Sequence, residues 1–163
     1  NRSQQVTLDV DCPELVARCL EDRADAAVLV ANCPVCHQTL SLAARSLEAH
    51  GIATVVMGCA KDIVEHVGVP RLLFSDFPLG NAAGRPNDVA SQAYTLDCAL
   101  QLLADAPGPR TTVQSSLVWA DSADWKLDYS NADRLSPQEL ARRREAFDAA
   151  KAEAKRLRDG NAT

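Results

Sequence analysis

The chain has 163 residues, 47% of them apolar and 24% charged, which is enough for one domain with a buried core. Its formal net charge of -5 excludes binding through nucleic-acid phosphates, which takes a basic face. No apolar run approaches the ~18 residues of a membrane span, and no signal peptide is visible at Asn1.

The sequence opens without Met, so an N-terminal portion is expected to be missing. Residues 13 to 23, PELVARCLEDR, carry Leu15, Val16, Cys19 and Leu20 on one stripe behind Pro13, which predicts a helix. Residues 26 to 31, AAVLVA, form a short continuous apolar run, as central parallel strands do. Helical period returns over 34 to 49, with Leu40, Ala43, Ala44 and Leu47 inward and Gly51 as the stop. A second buried strand covers 52 to 57, and a short helix covers 60 to 67, ending near Gly68. A third strand covers 71 to 74 and runs into the loop FPLGNAAGRPND; a longer helix follows over 88 to 105, with Ala90, Tyr94, Cys98 and Leu102 in register.

Strands alternating with helices across short links predict a parallel sheet with right-handed crossovers. The fold class is α/β: a three-layer α/β/α sandwich of Rossmann-like or flavodoxin-like type over residues 1 to 110. Residues 111 to 135 are polar, with Trp119, Trp125 and Tyr129 interspersed, and read as an irregular segment wrapping a surface or a partner. Ser136, Pro137 and Glu139 supply the cues for a helix start, and the helix runs to about Arg158. Its apolar stripe is thin (Leu140, Phe147, Ala154, Leu157), so it is a solvated terminal helix or a docking helix for another subunit.

The six cysteines do not read as a disulfide framework, because an Ala-, Leu- and Val-rich chain with long periodic segments needs no staples. A reducing compartment, the cytoplasm, is expected, with at most one functional pair. That pair is in LVANCPVCH, where the first strand runs into Cys33, Pro34, Val35, Cys36 and His37. Cys33 falls at the N-cap of the next helix, where unsatisfied N–H groups and the helix dipole favour a thiolate, the nucleophilic form of the sulfur. Cys36 lies one turn on and is the natural resolving thiol. His37 is a proton shuttle in one reading and a capping or surface residue in the other. CPVCH also fits a haem attachment pattern, with Met57 the only methionine for an axial ligand. A zinc set of Cys33, Cys36, Cys59 and His37 lacks a second paired knuckle, so no metal is expected. Cys12, Cys19 and Cys98 fit apolar helix faces or ends, and His50 and His66 read as surface helix residues.

Ligands of open α/β sheets bind at the carboxyl ends of the strands. If the strands are parallel, the loops after them bring the Cys33–Cys36 pair towards Cys59, Asp76 and the turn containing Pro78, Gly80 and Asn81. Arg85 suits a bidentate pairing with a substrate carboxylate, and Asn87 or Asp88 can cap the following helix. The loop lacks both phosphate-binding glycine patterns, GxxxxGK[ST] and GxGxxG.

A CxxC at a strand end, a helix closing in EAHGI, a strand followed by Cys59, and a strand running into FPLGN resemble the selenoprotein B family of the glycine, sarcosine and betaine reductases, with D-proline reductase. The resemblance spans roughly residues 26 to 105. It implies that Cys33 stands where family members often carry selenocysteine, that Cys36 matches the second thiol, and that Pro78, Leu79, Gly80 and Asn81 match the family loop. It also implies attack on a small amine activated by a pyruvoyl group on a partner subunit. Cysteine in place of selenocysteine makes a poorer nucleophile, and no pyruvoyl-forming segment is identifiable here. The chain itself is expected to require no cofactor.

The leading expectation is a dithiol-dependent reductase subunit for a small amine or amino-acid-like substrate. It would work with a partner subunit and an external dithiol reductant, in an oligomer. The alternative is a non-catalytic redox-sensing or assembly subunit of a larger complex.

Overall fold

A computed structural model describes residues 3–128, 133 and 135–160. The chain divides into two compact units, residues 1–121 and 122–163. No helix among the described residues is long and apolar enough to cross a membrane.

The first unit opens with α1 (Gln4–Val6), a π-helical turn (Thr7–Asp11) and α2 (Cys12–Glu21). Then β1 (Ala26–Val30), α3 (Pro34–Ala49), β2 (Ala53–Gly58), α4 (Lys61–Val67), β3 (Arg71–Phe74), α5 (Val89–Asp105) and β4 (Thr111–Gln114) alternate. The four strands pair in parallel in the order β1-β2-β3-β4. This is the expected α/β sandwich, but its strand order never reverses, as it does in the doubly wound sheets. The sheet also runs past residue 110, because β4 pairs with β3 through Arg71 opposite Thr111. Thr111–Gln114 is a half-exposed, polar edge strand, so no apolar run betrays it in the sequence.

The alternation of side chains along each strand gives the sheet two faces. Val56 and Leu72 pack with Ala44 of α3 and Val64 of α4 on one face. Val55, Met57 and Leu73 pack with Ala99 and Leu102 of α5 on the other. Val16 of α2 joins Leu47 and Ile52 against the outer part of the first face. All three crossovers step the same way along the sheet, yet α5 lies on the opposite face from α3 and α4. The β3–α5–β4 unit therefore has the opposite hand to the two before it, a departure from the right-handed crossovers expected throughout. The loop after β2 leads to one face and the loop after β3 to the other.

At the amino-terminal edge of the sheet, Glu48 Oε1 accepts from Arg71 at 2.7 Å, from the Thr54 N–H at 2.5 Å and from the Thr54 hydroxyl at 3.0 Å. Glu48 and Arg71 are three-quarters or more buried, at 25% and 22% side-chain exposure. This ties the end of α3 to β2 and β3 far from the loops at the other edge.

In the second unit, α6 (Trp125–Asp128) precedes α7 (Pro137–Gly160). The Ser136 hydroxyl accepts from the Glu139 N–H at 3.2 Å, so the predicted cap forms. The Glu139 carboxylate turns forward instead, to Arg142 and Arg143, whose hydrogen bonds hold it well below the usual carboxylate range, at about 2. Leu140 and Phe147 are exposed. Tyr129, also expected in the wrapping segment, and the side chains of Ala154 and Leu157 lie outside the described residues.

Replacing Glu48 by Ala removes charged hydrogen bonds from half-buried partners and should destabilise the first unit by about 2–3 kcal/mol. Urea denaturation checks this, and alkylation of Cys33 and Cys36 in the folded variant should keep its wild-type rate.

Candidate functional site

Pro34 starts α3, and Cys33 is its N-cap in an extended conformation (φ -118°, ψ 166°). The Cys33 sulfur accepts from the Cys36 N–H at 3.2 Å, which satisfies one of the amide donors left open at a helix start. The two sulfurs stand 2.6 Å apart. Cys33 is exposed and Cys36 is half-buried behind it. The Cys36 thiol is held below its ordinary value, first by the hydrogen bond from the Cys33 thiol, then by the backbone of Cys33 and Asn32, against a small opposing effect of burial. The acidified sulfur is therefore the inner one and the accessible sulfur the outer one.

His37 is fully buried, not a surface residue. Its Nδ1 lies 2.7 Å from the Cys33 carbonyl oxygen, and its Nε2 accepts from the N–H groups of Cys59 at 2.9 Å and Ala60 at 3.1 Å. Two amide donors at Nε2 and a carbonyl at Nδ1 fix a neutral ring with the proton on Nδ1. His37 thus joins the turn after β1 to the turn after β2. Gly58 makes room for it: a Cβ there would fall 3.0 Å from His37 Cδ2 and 3.2 Å from Nε2. Sequence reasoning passed over Gly58. The available signal was a glycine closing a buried strand, where neither a turn nor a helix cap calls for one.

The third loop arrives beside Cys59. Burial pushes the Cys59 thiol up to about 11, opposed by backbone hydrogen bonds from Asn81 and Phe77 and reinforced by the negative charge of Asp76. Cys59 packs with the core under α5, so its side chain belongs to the other sheet face from α3. Asp76 is half-buried, Pro78 is buried, and Gly80 sits at a positive φ of 97° with open space where a Cβ would point. Asn81 closes the turn on the Pro78 carbonyl through its side chain at 3.0 Å and its N–H at 3.2 Å. Gly84 (φ 112°) packs against α5, where a Cβ would meet Gln92 Cα at 2.8 Å. Its close approach is to the helix, in contrast to Gly80. Phe77 is buried edge-on to Trp119, with ring centroids 5.3 Å apart.

Arg85 is drawn into the loop itself. Its guanidinium bonds the Val118 carbonyl and lies 3.6 Å from Asp88 Oδ2. Asp88 caps α5 by accepting from the Ser91 N–H at 3.0 Å, and that bond, with Arg85 beside it, holds the carboxylate below its ordinary value. The structure therefore brings Cys33, Cys36, His37 and Cys59 into one bonded chain and seats Asp76, Pro78 and Asn81 beside Cys59. Arg85 stands apart, engaged with Asp88 and Val118. Both His37 ring nitrogens face backbone groups and Met57 is buried in the sheet, so neither is turned outward as a ligand. No cluster of three or more metal-ligating side chains occurs among the described residues. Cys12 is buried, Cys19 and Cys98 pack against the core clusters, His66 is exposed on α4, and His50 is the exposed C-cap after α3.

Thiolate fraction sets alkylation rate, so iodoacetamide at pH 8 should modify the Cys33–Cys36 pair while Cys59 stays protonated. Cys59 should become reactive only as the pH nears about 11. Peptide mass spectrometry across a pH series checks both. Gly58→Ala should displace the His37 ring and cost about 1–3 kcal/mol, read by thermal denaturation together with the Cys59 and Ala60 amide resonances.

Comparison with known proteins finds a relative among the curated proteins. Over 95 residues the chain is 30% identical to D-proline reductase subunit gamma of Acetoanaerobium sticklandii. The aligned part is 58% of this chain and 39% of that protein, so the chain spans well under half the length of the curated relative. No protein-family model matches the chain, and no solved structure matches it. The chain is thus similar, over those 95 residues, to a reductase subunit.

Proposed function

We propose that this chain is a dithiol-dependent subunit of a reductase of the proline and glycine reductase family, acting on a small amine or amino-acid-like substrate. The observation that carries the reading is the Cys33–Cys36 pair, 2.6 Å apart at the exposed start of α3 on the carboxyl edge of a parallel sheet. The similarity to D-proline reductase subunit gamma supports the same class.

Cys33 is the nucleophile because it is the exposed sulfur, and its proton passes across the short gap to Cys36. Attack on the carbon bearing nitrogen forms a Cys33 thioether, and the amine leaves with a proton. Cys36 then attacks the Cys33 sulfur. The carbon departs with the electron pair of the C–S bond and takes a proton, leaving a disulfide. The dithiol thus gives up two electrons and two protons, the C–N bond becomes C–H and N–H, and an external dithiol restores the pair by exchange. The departing carbanion must be stabilised, which selects substrates with a carbonyl or carboxylate next to that carbon. An activating pyruvoyl group belongs to a partner subunit in this proposal. This chain's share is the exposed run from Asn32 to Val35, open to approach. His37 positions the pair, and the turn of Pro78, Gly80 and Asn81 with Cys59 and Asp76 forms the adjoining substrate wall. Arg85, held by Asp88 and the Val118 carbonyl, takes no part in that wall.

In the reconstituted complex, Cys33→Ser should lower turnover by at least about a thousandfold, the scale of losing a nucleophile. Cys36→Ser should instead accumulate substrate carbon on Cys33, seen as added mass. Full turnover in Cys33→Ser, with complex assembly now tracking the redox state, would replace this reading with the redox-sensing or assembly subunit.

A further inference from the structure

The His37 ring does more than fill space between two loops. Its Nδ1 holds the same Cys33 carbonyl that accepts the His37 backbone N–H at 3.1 Å, so that oxygen is fixed twice by one residue. On the other side, Nε2 accepts both amides of the turn that carries Cys59, at 2.9 and 3.1 Å. Gly58 leaves the ring little slack, since even a Cβ there would fall 3.0 Å from the imidazole Cδ2. Cys33 is thus bonded through its sulfur to Cys36 and through its carbonyl to His37. A change at the sulfur reaches the Cys59 turn through a single rigid ring.

We propose that His37 is a positioning residue that couples the oxidation state of Cys33–Cys36 to the placement of the Cys59–Ala60 turn, and so to the substrate wall around Pro78, Gly80 and Asn81. The inference rests on reading Cys33 and Cys36 as a redox pair. Oxidation by a small disulfide proceeds in two exchanges. The Cys33 thiolate attacks one sulfur of the disulfide and releases a thiolate. The Cys36 thiolate then attacks the Cys33 sulfur of the mixed disulfide and releases the second. The two protein thiol protons end on the two released thiolates, and the protein pair has lost two electrons. The sulfur that accepted the Cys36 N–H is then half of a disulfide and a weak acceptor, so the N-cap of α3 loses its bond and closure of the S–S bond draws Cys33 towards Cys36. The carbonyl that holds Nδ1 moves with it. In the reduced state the ring is latched at both ends; in the oxidised state the Cys33 end is released and the Cys59 turn follows. Reduced protein therefore presents a formed substrate wall, and oxidised protein loosens it, which favours product departure and entry of the reductant.

Coupling of this kind is reciprocal. If oxidation weakens the latch, then weakening the latch must favour the disulfide. The test uses the full chain, labelled with nitrogen-15 and poised with reduced and oxidised glutathione. Amide hydrogen exchange at Cys59 and Ala60 should be about tenfold faster in the oxidised than in the reduced protein, the scale of one lost hydrogen bond. His37→Asn, whose side chain is too short to reach Cys59 and Ala60, should shift the dithiol–disulfide equilibrium about tenfold towards disulfide, or ~30 mV for a two-electron couple. His37→Gln, which can return an oxygen acceptor to those amides, should recover most of that shift. Equal exchange at Cys59 and Ala60 in the two redox states, with the disulfide verified by mass, overturns the coupling and leaves the redox pair standing. An unchanged equilibrium in His37→Asn overturns it as well. Failure of the pair to form any disulfide removes both the coupling and the reductase reading. Normal coupling with full turnover in Cys33→Ser removes the reductase reading alone.

Discussion

The arrangement depends on one buried imidazole. A polar ring with no solvent exposure costs free energy unless both nitrogens find partners, and here the partners are the main chain of two separate turns. The Ala31 N–H also joins the end of β1 to the end of β2, donating to the Met57 carbonyl at 3.0 Å. Satisfying His37 therefore sets where the dithiol turn and the Cys59 turn stand. The helix start then supplies the Cys36 N–H to the Cys33 sulfur.

The two edges of the sheet have been given different work. At the amino-terminal edge, Glu48, Thr54 and Arg71 are locked together by charge and contribute stability. At the carboxyl-terminal edge, thiols of unlike acidity stand on the two sheet faces: the inner member of the pair is lowered, and Cys59 is raised to about 11. The same element thus holds an acidic sulfur where amides gather and a neutral one where burial dominates. The change of hand at α5 makes this separation feasible, because the chain leaves β2 towards one face and β3 towards the other.

Much of this was legible in the sequence. Continuous apolar runs announced β1, β2 and β3, and the helical stripes between them announced a parallel arrangement. The thiol pair was legible because Pro34 marks a helix start directly after a strand. Less visible were features with no periodic or compositional mark. Thr111–Gln114 is polar and half exposed, so it reads as loop until β3 is there to pair with it. The helical turn before Cys12 buries only Thr7 and carries no stripe. Arg85 looked suited to a ligand carboxylate because a sequence cannot show that Asp88 and the Val118 carbonyl lie within its reach. The role of His37 was hidden for the same reason: its partners are backbone amides 22 and 23 residues away.

The position of β1 has a further consequence. It is the terminal strand of the sheet, and the dithiol follows it directly. The two sulfurs therefore stand at a corner of the sheet, with β2 and β3 to one side of them. A molecule held against Cys33 would meet the β2 and β3 side of the sheet from one direction, because no strand pairs with the other edge of β1 among the described residues.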